Sequence, residues 1–303
     1  MPSHSCNMCG ENLANSMGCK TTRATPFAAL ICPLDGGTLL RQDSHWRCEK
    51  GHCFDIAKEG YVNLLPVQNK RSRDPGDSKE MILARRRFLN AGHYQKIANA
   101  LSARVLQHTS AESAMSCLDA GCGEGYYLRE LIAAANGQCD IASIGLDISK
   151  WAVLSAAKQT VQSAWVVGSN ANLPMTSDSV DVVLCMFGFP VYAEFSRVLK
   201  PGGILVLVES GIDHLRELRE IIYPEVKVAE KNAPQAVAGF EHGDVQSVKF
   251  TIDLDSQEQI ADLLVMTPHL YRASAQGREK AAQLQQLSLT IDATISVLQK
   301  TLS

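Results

Sequence analysis

The 303-residue chain lacks any apolar run approaching the roughly 18 residues that a membrane span requires, which argues against a helical membrane protein. Its first residues lack the basic-then-apolar pattern of a secretory signal and carry Cys6 and Cys9 instead, so the expected compartment is the cytoplasm. There the ten cysteines should be thiols or metal ligands rather than disulfides. The chain also lacks a surplus of positive charge: its net charge is −3, which excludes a generally basic nucleic-acid coat. It has no internal repeat and no low-complexity tract. What remains is the composition of an ordinary globular protein, 46% hydrophobic and 20% charged, long enough for two domains or one domain with an appendage.

From Ser116 onward, short apolar strands alternate with segments of helical period. Strands are expected at 116–121, 141–148, 164–169, 181–187 and 204–210, and helices at 126–135, 150–161, 192–199 and 214–223. Segments 248–254 and 289–298 alternate more clearly and read as the last two strands, one of them antiparallel at the edge. Near-continuous apolar strands separated by helices indicate a parallel sheet covered on both faces. Ahead of this, Ser78 reads as an N-cap with acidic Glu80 in the first turn, opening a helix that breaks near Gly92.

The first of these strands ends LDAGCGEG, with Gly121, Gly123 and Gly125 alternating. Glycines at a strand-to-helix turn let the backbone turn sharply and approach a ligand at the carboxyl ends of the strands. Asp147 ends the second strand, 22 residues past Gly125, where a carboxylate can hold two ribose hydroxyls. The G-x-G-x-x-G spacing that seats a pyrophosphate is missing, and Glu124 would repel a phosphate. A ribose-bearing cofactor without a pyrophosphate is favoured. This combination resembles class I S-adenosylmethionine (SAM)-dependent methyltransferases, with a Rossmann-like, mostly parallel seven-stranded sheet. The resemblance implies cofactor binding by Asp119, Gly121, Gly123, Glu124 and Gly125 at the methionine end, with Asp119 orienting the loop or the cofactor amine. It further implies Asp147 at the ribose and Asn170, Ala171, Asn172 and Leu173 beside the adenine. Asp181 and the Lys200–Gly203 turn also match that fold.

A cysteine and histidine module lies in front, at residues 31–65. Cys48 and His52 are spaced as half of a zinc site, and Cys32 begins a second half, but Asp35 stands where a second cysteine would close the Cys-x-x-Cys knuckle. Zinc accepts carboxylate oxygen, so Cys32, Asp35, Cys48 and His52 form a chemically sound set, weaker by one thiolate. Cys53, or Cys6, Cys9 or Cys19 from the leader, are alternative fourth ligands, and a decayed knuckle without metal is a further possibility. Residues 1–30 read as a disordered leader, with Met17 an alternative start, and residues 66–115 as a basic linker and helical region before the methyltransferase domain at 116–303.

From Gln68 to Arg87, Lys70, Arg71, Arg73, Lys79, Arg85, Arg86 and Arg87 face three acidic residues, a local net charge of +4 inside an acidic protein. That asymmetry suggests an anionic partner. His52–Asp55, Ile56–Leu65, Lys70–Asp77, Ala91–Tyr94, Met266–Pro268 and Arg272 closely resemble the RlmA family of bacterial 23S rRNA guanine-N1-methyltransferases, nearer the branch of Gram-negative bacteria. The resemblance runs from Cys32 to the C-terminus. It implies methyl transfer to N1 of a guanine in a 23S rRNA hairpin, a zinc-binding domain that helps recognise RNA, and a homodimer. Lys70, Arg71, Arg73, Arg85, Arg86 and Arg87 are then expected on phosphates, and Trp46, Tyr61, Tyr94, Phe187, Phe189 and Tyr271 are candidates to stack on bases. His93 and Asp181 are weak candidates for the group that receives the guanine proton. Met186–Pro190 departs from the family pattern in the loop after the fourth strand, leaving the base-contacting residues open. Methylation of another RNA or of a small molecule, or a non-catalytic RNA-binding assembly factor, are the other readings. The basic stretch argues against the small molecule, and the intact glycine loop against the assembly factor.

Overall fold

The computed structural model describes residues 23–69, 72, 74–108, 114–225 and 236–302. Lys70, Arg71, Arg73 and the leader cysteines lie outside them, as does the side chain of Tyr271. Five short strands come first: β1 (Ala24–Pro26), β2 (Leu40–Gln42), β3 (His45–Arg47), β4 (Cys53–Asp55) and β5 (Tyr61–Asn63). Helices α1 (Lys79–Asn90) and α2 (Gln95–Gln107) follow. The alternating half then runs β6 (Met115–Ala120), α3 (Tyr126–Ala134), β7 (Ile141–Asp147), α4 (Lys150–Ala157), β8 (Ala164–Val167), β9 (Val180–Met186), α5 (Tyr192–Val198), β10 (Leu199–Ser210) and α6 (Arg216–Ile222). It closes with β11 (Phe240–Leu254), α7 (Gln257–Met266), α8 (His269–Arg272), α9 (Ala275–Ala282) and β12 (Leu287–Lys300).

The main sheet has the order β11-β12-β10-β9-β6-β7-β8-β5, with β1 also paired to β7. Strands β6 to β10 pair in parallel, and β12 is antiparallel to both β10 and β11. The antiparallel strand expected at the edge is therefore internal, and β11 is the edge. Every residue of β6 is buried, which explains its unbroken apolar run. Helices cover both faces, and two apolar clusters form the core. One centres on Phe88, Leu101 and Leu128, and the other on Leu118, Val183 and Phe195.

Among the described residues the sheet has nine strands rather than the seven expected, because the N-terminal region adds two. β5 pairs in parallel with β8, Tyr61 to Asn63 against Trp165 to Val167, and β1 pairs with β7, Ala24 to Pro26 against Ile141 to Ser143. Residues 24–30, inside the expected 1–30 leader, are therefore part of the fold, and Phe27 and Leu30 are buried. Residues 61–63, expected within the zinc module, belong to the main sheet. The module proper is the three-stranded antiparallel sheet β2-β3-β4. Ser78 caps α1 as expected, accepting from the Met81 N–H at 3.2 Å. Among the described residues no helix is long and apolar enough to cross a membrane.

Candidate cofactor site and metal centre

The glycine loop leaves the carboxyl end of β6, beside the carboxyl ends of β7, β8 and β9. The loop N–H groups of Gly121 and Cys122 donate to the Leu146 carbonyl, at 2.7 and 3.0 Å, which locks the turn against β7. Gly123 has φ +55° and donates its N–H to Asp147 Oδ2 at 2.9 Å. Ser149 N donates to Asp147 Oδ1 at 2.8 Å. Gly125 has φ +82°, and a Cβ there would meet Trp165 Cη2 at 2.5 Å, so the third glycine is required by both conformation and packing.

Asp119, at the end of β6, is 1% exposed, and neither carboxylate oxygen has a hydrogen-bond partner. Burial, aided by the nearby Asp147 charge, pushes its pKa up to about 7. Burial also raises Asp147, against the two N–H bonds it accepts. An orphaned buried carboxylate costs free energy until a cationic donor arrives. Asn170 Oδ1 is likewise buried without a partner, with the Asn170 amide 3.9 Å from a Cβ built on Gly121. Ala171 and Asn172 are exposed on the turn that follows, and Leu173 is fully buried, its N–H given to Glu194 at 2.7 Å.

Glu124 departs from the sequence expectation. Its buried carboxylate accepts from Arg129 Nη2 at 3.1 Å and from Gln159 Nε2 at 2.5 Å. It ties α3 to the chain just past α4, and its carboxylate is committed to Arg129 and Gln159. Asp181 lies at the start of β9, the opposite end of the strand from the cofactor loop. Lys200 Nζ at 2.8 Å and Ser116 Oγ at 2.5 Å hold it. It is a strut between β6, β9 and the turn before Ile204, not a proton acceptor at the site. His93 packs 4.6 Å from the Phe88 ring, and burial lowers its pKa.

The loop after β9 begins at Phe187, with φ +51°, an uncommon conformation for a bulky residue. Its ring lies 6.0 Å from Tyr94 and 5.7 Å from His214, and Tyr94 Oη is 3.2 Å from His214 Nε2. Burial depresses the His214 pKa to about 4, keeping the imidazole neutral. Phe189, two residues on, is 92% exposed. The sequence reading assigns His214 no role beyond opening the helix expected at 214–223, and the helix in fact starts two residues later; a lone histidine there gives no local signal.

The basic residues divide. Arg85 pairs with Asp77 at 2.5 Å and donates to the Met266 carbonyl at 2.9 Å. Arg87 makes a two-pronged pair with Asp262 on α7, its Nε donating at 2.8 Å. Arg86 is half-buried with no ion pair among the described residues. The segment before α1 folds onto the cofactor edge: Asp77 O accepts from Ser149 Oγ at 2.7 Å, and a Cβ on Gly76 would meet Ile148 at 2.9 Å.

In the small sheet, Cys32 Sγ, Asp35, Cys48 Sγ and His52 Nδ1 lie within 4.8 Å of one another. Nδ1 is 3.4 Å from each sulfur and 3.0 Å from Asp35 Oδ2. The Gly37 N–H, 2.9 Å from Oδ1, holds Asp35 down at about 2, so its carboxylate is ionised as a ligand must be. Two thiols, one carboxylate and one imidazole at these separations fit tetrahedral zinc. Cys53 is exposed and outside the cluster.

Two family models match the chain: one described as RlmA, N-terminal, over residues 30–73, and one described as a methyltransferase domain over residues 118–207. YxjB of Bacillus subtilis (strain 168), a candidate 23S rRNA (guanine-N1-)-methyltransferase, is 30% identical over 282 residues, covering 91% of this chain and 98% of its own. The chain belongs to the RlmA family. A second relative, the 23S rRNA (guanine(748)-N1)-methyltransferase of Streptomyces fradiae, is 29% identical over 276 residues, 88% of this chain and 94% of its own. This RlmA-family chain is a class I SAM-dependent methyltransferase with an N-terminal zinc ribbon. The orphaned Asp119 carboxylate fits the cofactor, and the four-donor cluster fits zinc.

Proposed function

We propose that the protein methylates N1 of a guanine in a hairpin of 23S rRNA. The observation that carries this reading is a buried, unpartnered Asp119 at the glycine loop in a chain whose residues 30–73 match the RlmA N-terminal model. SAM, when bound, supplies an electrophilic methyl on its sulfonium. Asp119 accepts the amino group, Asp147 the ribose hydroxyls, and Asn170 with Ala171, Asn172 and Leu173 borders the adenine. Cys32, Asp35, Cys48 and His52 hold zinc.

The target guanine must leave its stack to reach the carboxyl ends of the strands. Phe189 offers an exposed ring for a neighbouring base, and Phe187, part-exposed and braced by Tyr94 and His214, offers a second beside it. Asp181 is engaged by Lys200 at the far end of β9, so the methyl passes from the sulfonium to N1, the neutral thioether leaves, and the N1 proton is lost to water; the rate rests on holding N1 in line with the methyl. Arg86, together with Lys70, Arg71 and Arg73, supports phosphate contact. The family resemblance supports a homodimer, and an rRNA substrate supports the cytoplasm as the site of action.

The test is mass mapping of 23S rRNA from cells with and without the gene, joined to transfer assays on 23S rRNA, tRNA and small-molecule acceptors. One guanine that loses a single methyl, restored by the purified enzyme, is the expected result. Unchanged rRNA with label on tRNA or a small molecule would overturn the proposed substrate.

A further inference from the structure

Arg85 reads in the sequence as one of five phosphate-seeking arginines, but its guanidinium turns inward. Nη1 lies 3.5 Å from the position a Gly123 side chain would start, directly against the glycine loop. The side chain is only one-quarter exposed. Its charge bears on both Asp147 and the Tyr127 hydroxyl, which is itself buried without a partner. The guanidinium therefore stands inside the polar ring of the cofactor site. Asp77 and the Met266 carbonyl occupy one donor on each terminal nitrogen, out of the five N–H donors a guanidinium carries.

The charges around the loop do not balance the methionine end of SAM without this residue. Asp119 suits the ammonium group, but the cofactor's α-carboxylate would enter a space already bordered by Asp77, Asp119 and Asp147. The nearby Arg129 is committed to Glu124. A fork-shaped cation matches a carboxylate in geometry as well as sign. We propose that Arg85 grips the α-carboxylate of SAM, sharing its guanidinium between that group and Asp77. Asp77 ends the segment that follows the zinc module and is pinned to the start of α4 through Ser149. The arginine that reads the cofactor's acid is thereby anchored to the chain that leads from the RNA-binding half.

This inference rests on the SAM reading. The test separates the two by calorimetry on the full chain, with S-adenosylhomocysteine, which keeps the carboxylate, and its decarboxylated analogue, which lacks it. Arg85→Gln should weaken binding of S-adenosylhomocysteine about tenfold or more while leaving the decarboxylated analogue within about twofold of the unsubstituted protein. Arg85→Lys, a point charge without the fork, should fall between. Equal weakening of both ligands would reduce Arg85 to a brace for the loop, and unchanged affinity for S-adenosylhomocysteine would remove it from the site; either overturns the proposal. If the unsubstituted protein binds the decarboxylated analogue as tightly as S-adenosylhomocysteine, the carboxylate is not gripped at all. If it binds neither, the cofactor reading falls, and this one with it.

Discussion

In the zinc ribbon the four donors already lean on one another: His52 Nδ1 touches Asp35 and both sulfurs, and Asp35 is held by the Gly37 N–H. At the glycine loop the reverse holds. Asp119 is buried with neither oxygen satisfied, and Asn170 and Tyr127 keep polar atoms without partners. The difference follows from what surrounds each site. A three-stranded sheet of three-residue strands has little core, so its metal donors must also serve as its structure. The nine-stranded sheet has core enough to hold groups in an unfavourable state until a ligand arrives. The first site is built by its ligand, and the second waits for one.

The largest expected effect breaks the first side of that contrast. Removing zinc with a strong chelator should raise hydrogen exchange across residues 31–56 toward that of an unfolded chain while β6 to β10 stay protected, since zinc supplies roughly 10 kcal/mol or more of apparent folding energy in comparable small domains. Cys48→Ser should do the same without chelator. Metal analysis should find one zinc per chain, less tightly held after Asp35→Ala and more tightly after Asp35→Cys. A ribbon that keeps its protection without metal would show that β2 to β4 stand on their own packing.

The second effect tests the waiting site, and its sign is set by burial. Asp119 has a folded-state pKa raised to about 7 from an ordinary 3.8. The folded protein therefore holds this proton more tightly than the unfolded chain, and stability falls as pH rises between about 4 and 7, by a few kcal/mol at most. Asp119→Asn should remove that slope: melting without cofactor should be unchanged near pH 4 and higher than the unsubstituted protein at pH 8. The same substitution should weaken SAM about tenfold or more, because the neutral amide cannot balance the ammonium. A variant less stable at pH 8 would mean that the carboxylate is satisfied in solution.

How much of this was legible in the sequence depends on whether the causes are local. The strands from 116 to 210 could be read because parallel strands buried on both faces are apolar throughout, and α1 because Ser78 and Glu80 mark its start. β5 could not: Tyr61–Asn63 is three residues long, and only pairing with Trp165–Val167 makes it a strand. The glycine loop and Asp147 were legible as a motif, yet Glu124, inside the same motif, faces Arg129 and Gln159, and nothing in the spacing says so. Arg85, Arg86 and Arg87 look alike on a helix, but their partners lie at Asp77, nowhere among the described residues, and at Asp262. Charge runs report composition, whereas commitment is tertiary.

A third effect carries the contrast to the loop after β9, where Phe187 keeps ring contacts with Tyr94 and His214 and Phe189 stands free at 92% exposure. Phe189→Ala should leave melting within about 0.5 kcal/mol, as expected for an exposed side chain. It should weaken binding of the target rRNA by about 1–3 kcal/mol, the usual worth of one base stacked on an aromatic ring. Unchanged RNA affinity would leave Phe189 an exposed ring with no base to meet.

The last effect compares neighbours on one helix. Arg87→Gln takes one prong from the buried Asp262 carboxylate that joins α1 to α7 and should cost about 1–3 kcal/mol of stability, with no change in how RNA affinity depends on salt. Arg86→Gln should do the opposite. Stability should hold, while the slope of log affinity against log salt becomes shallower by about one unit, the signature of one lost phosphate contact. The two substitutions remove the same charge from the same helix, so net charge cannot explain a difference between them. If both flatten the slope equally, the Asp262 pair opens when RNA binds, and Arg87 is held in reserve for phosphate rather than spent on the fold.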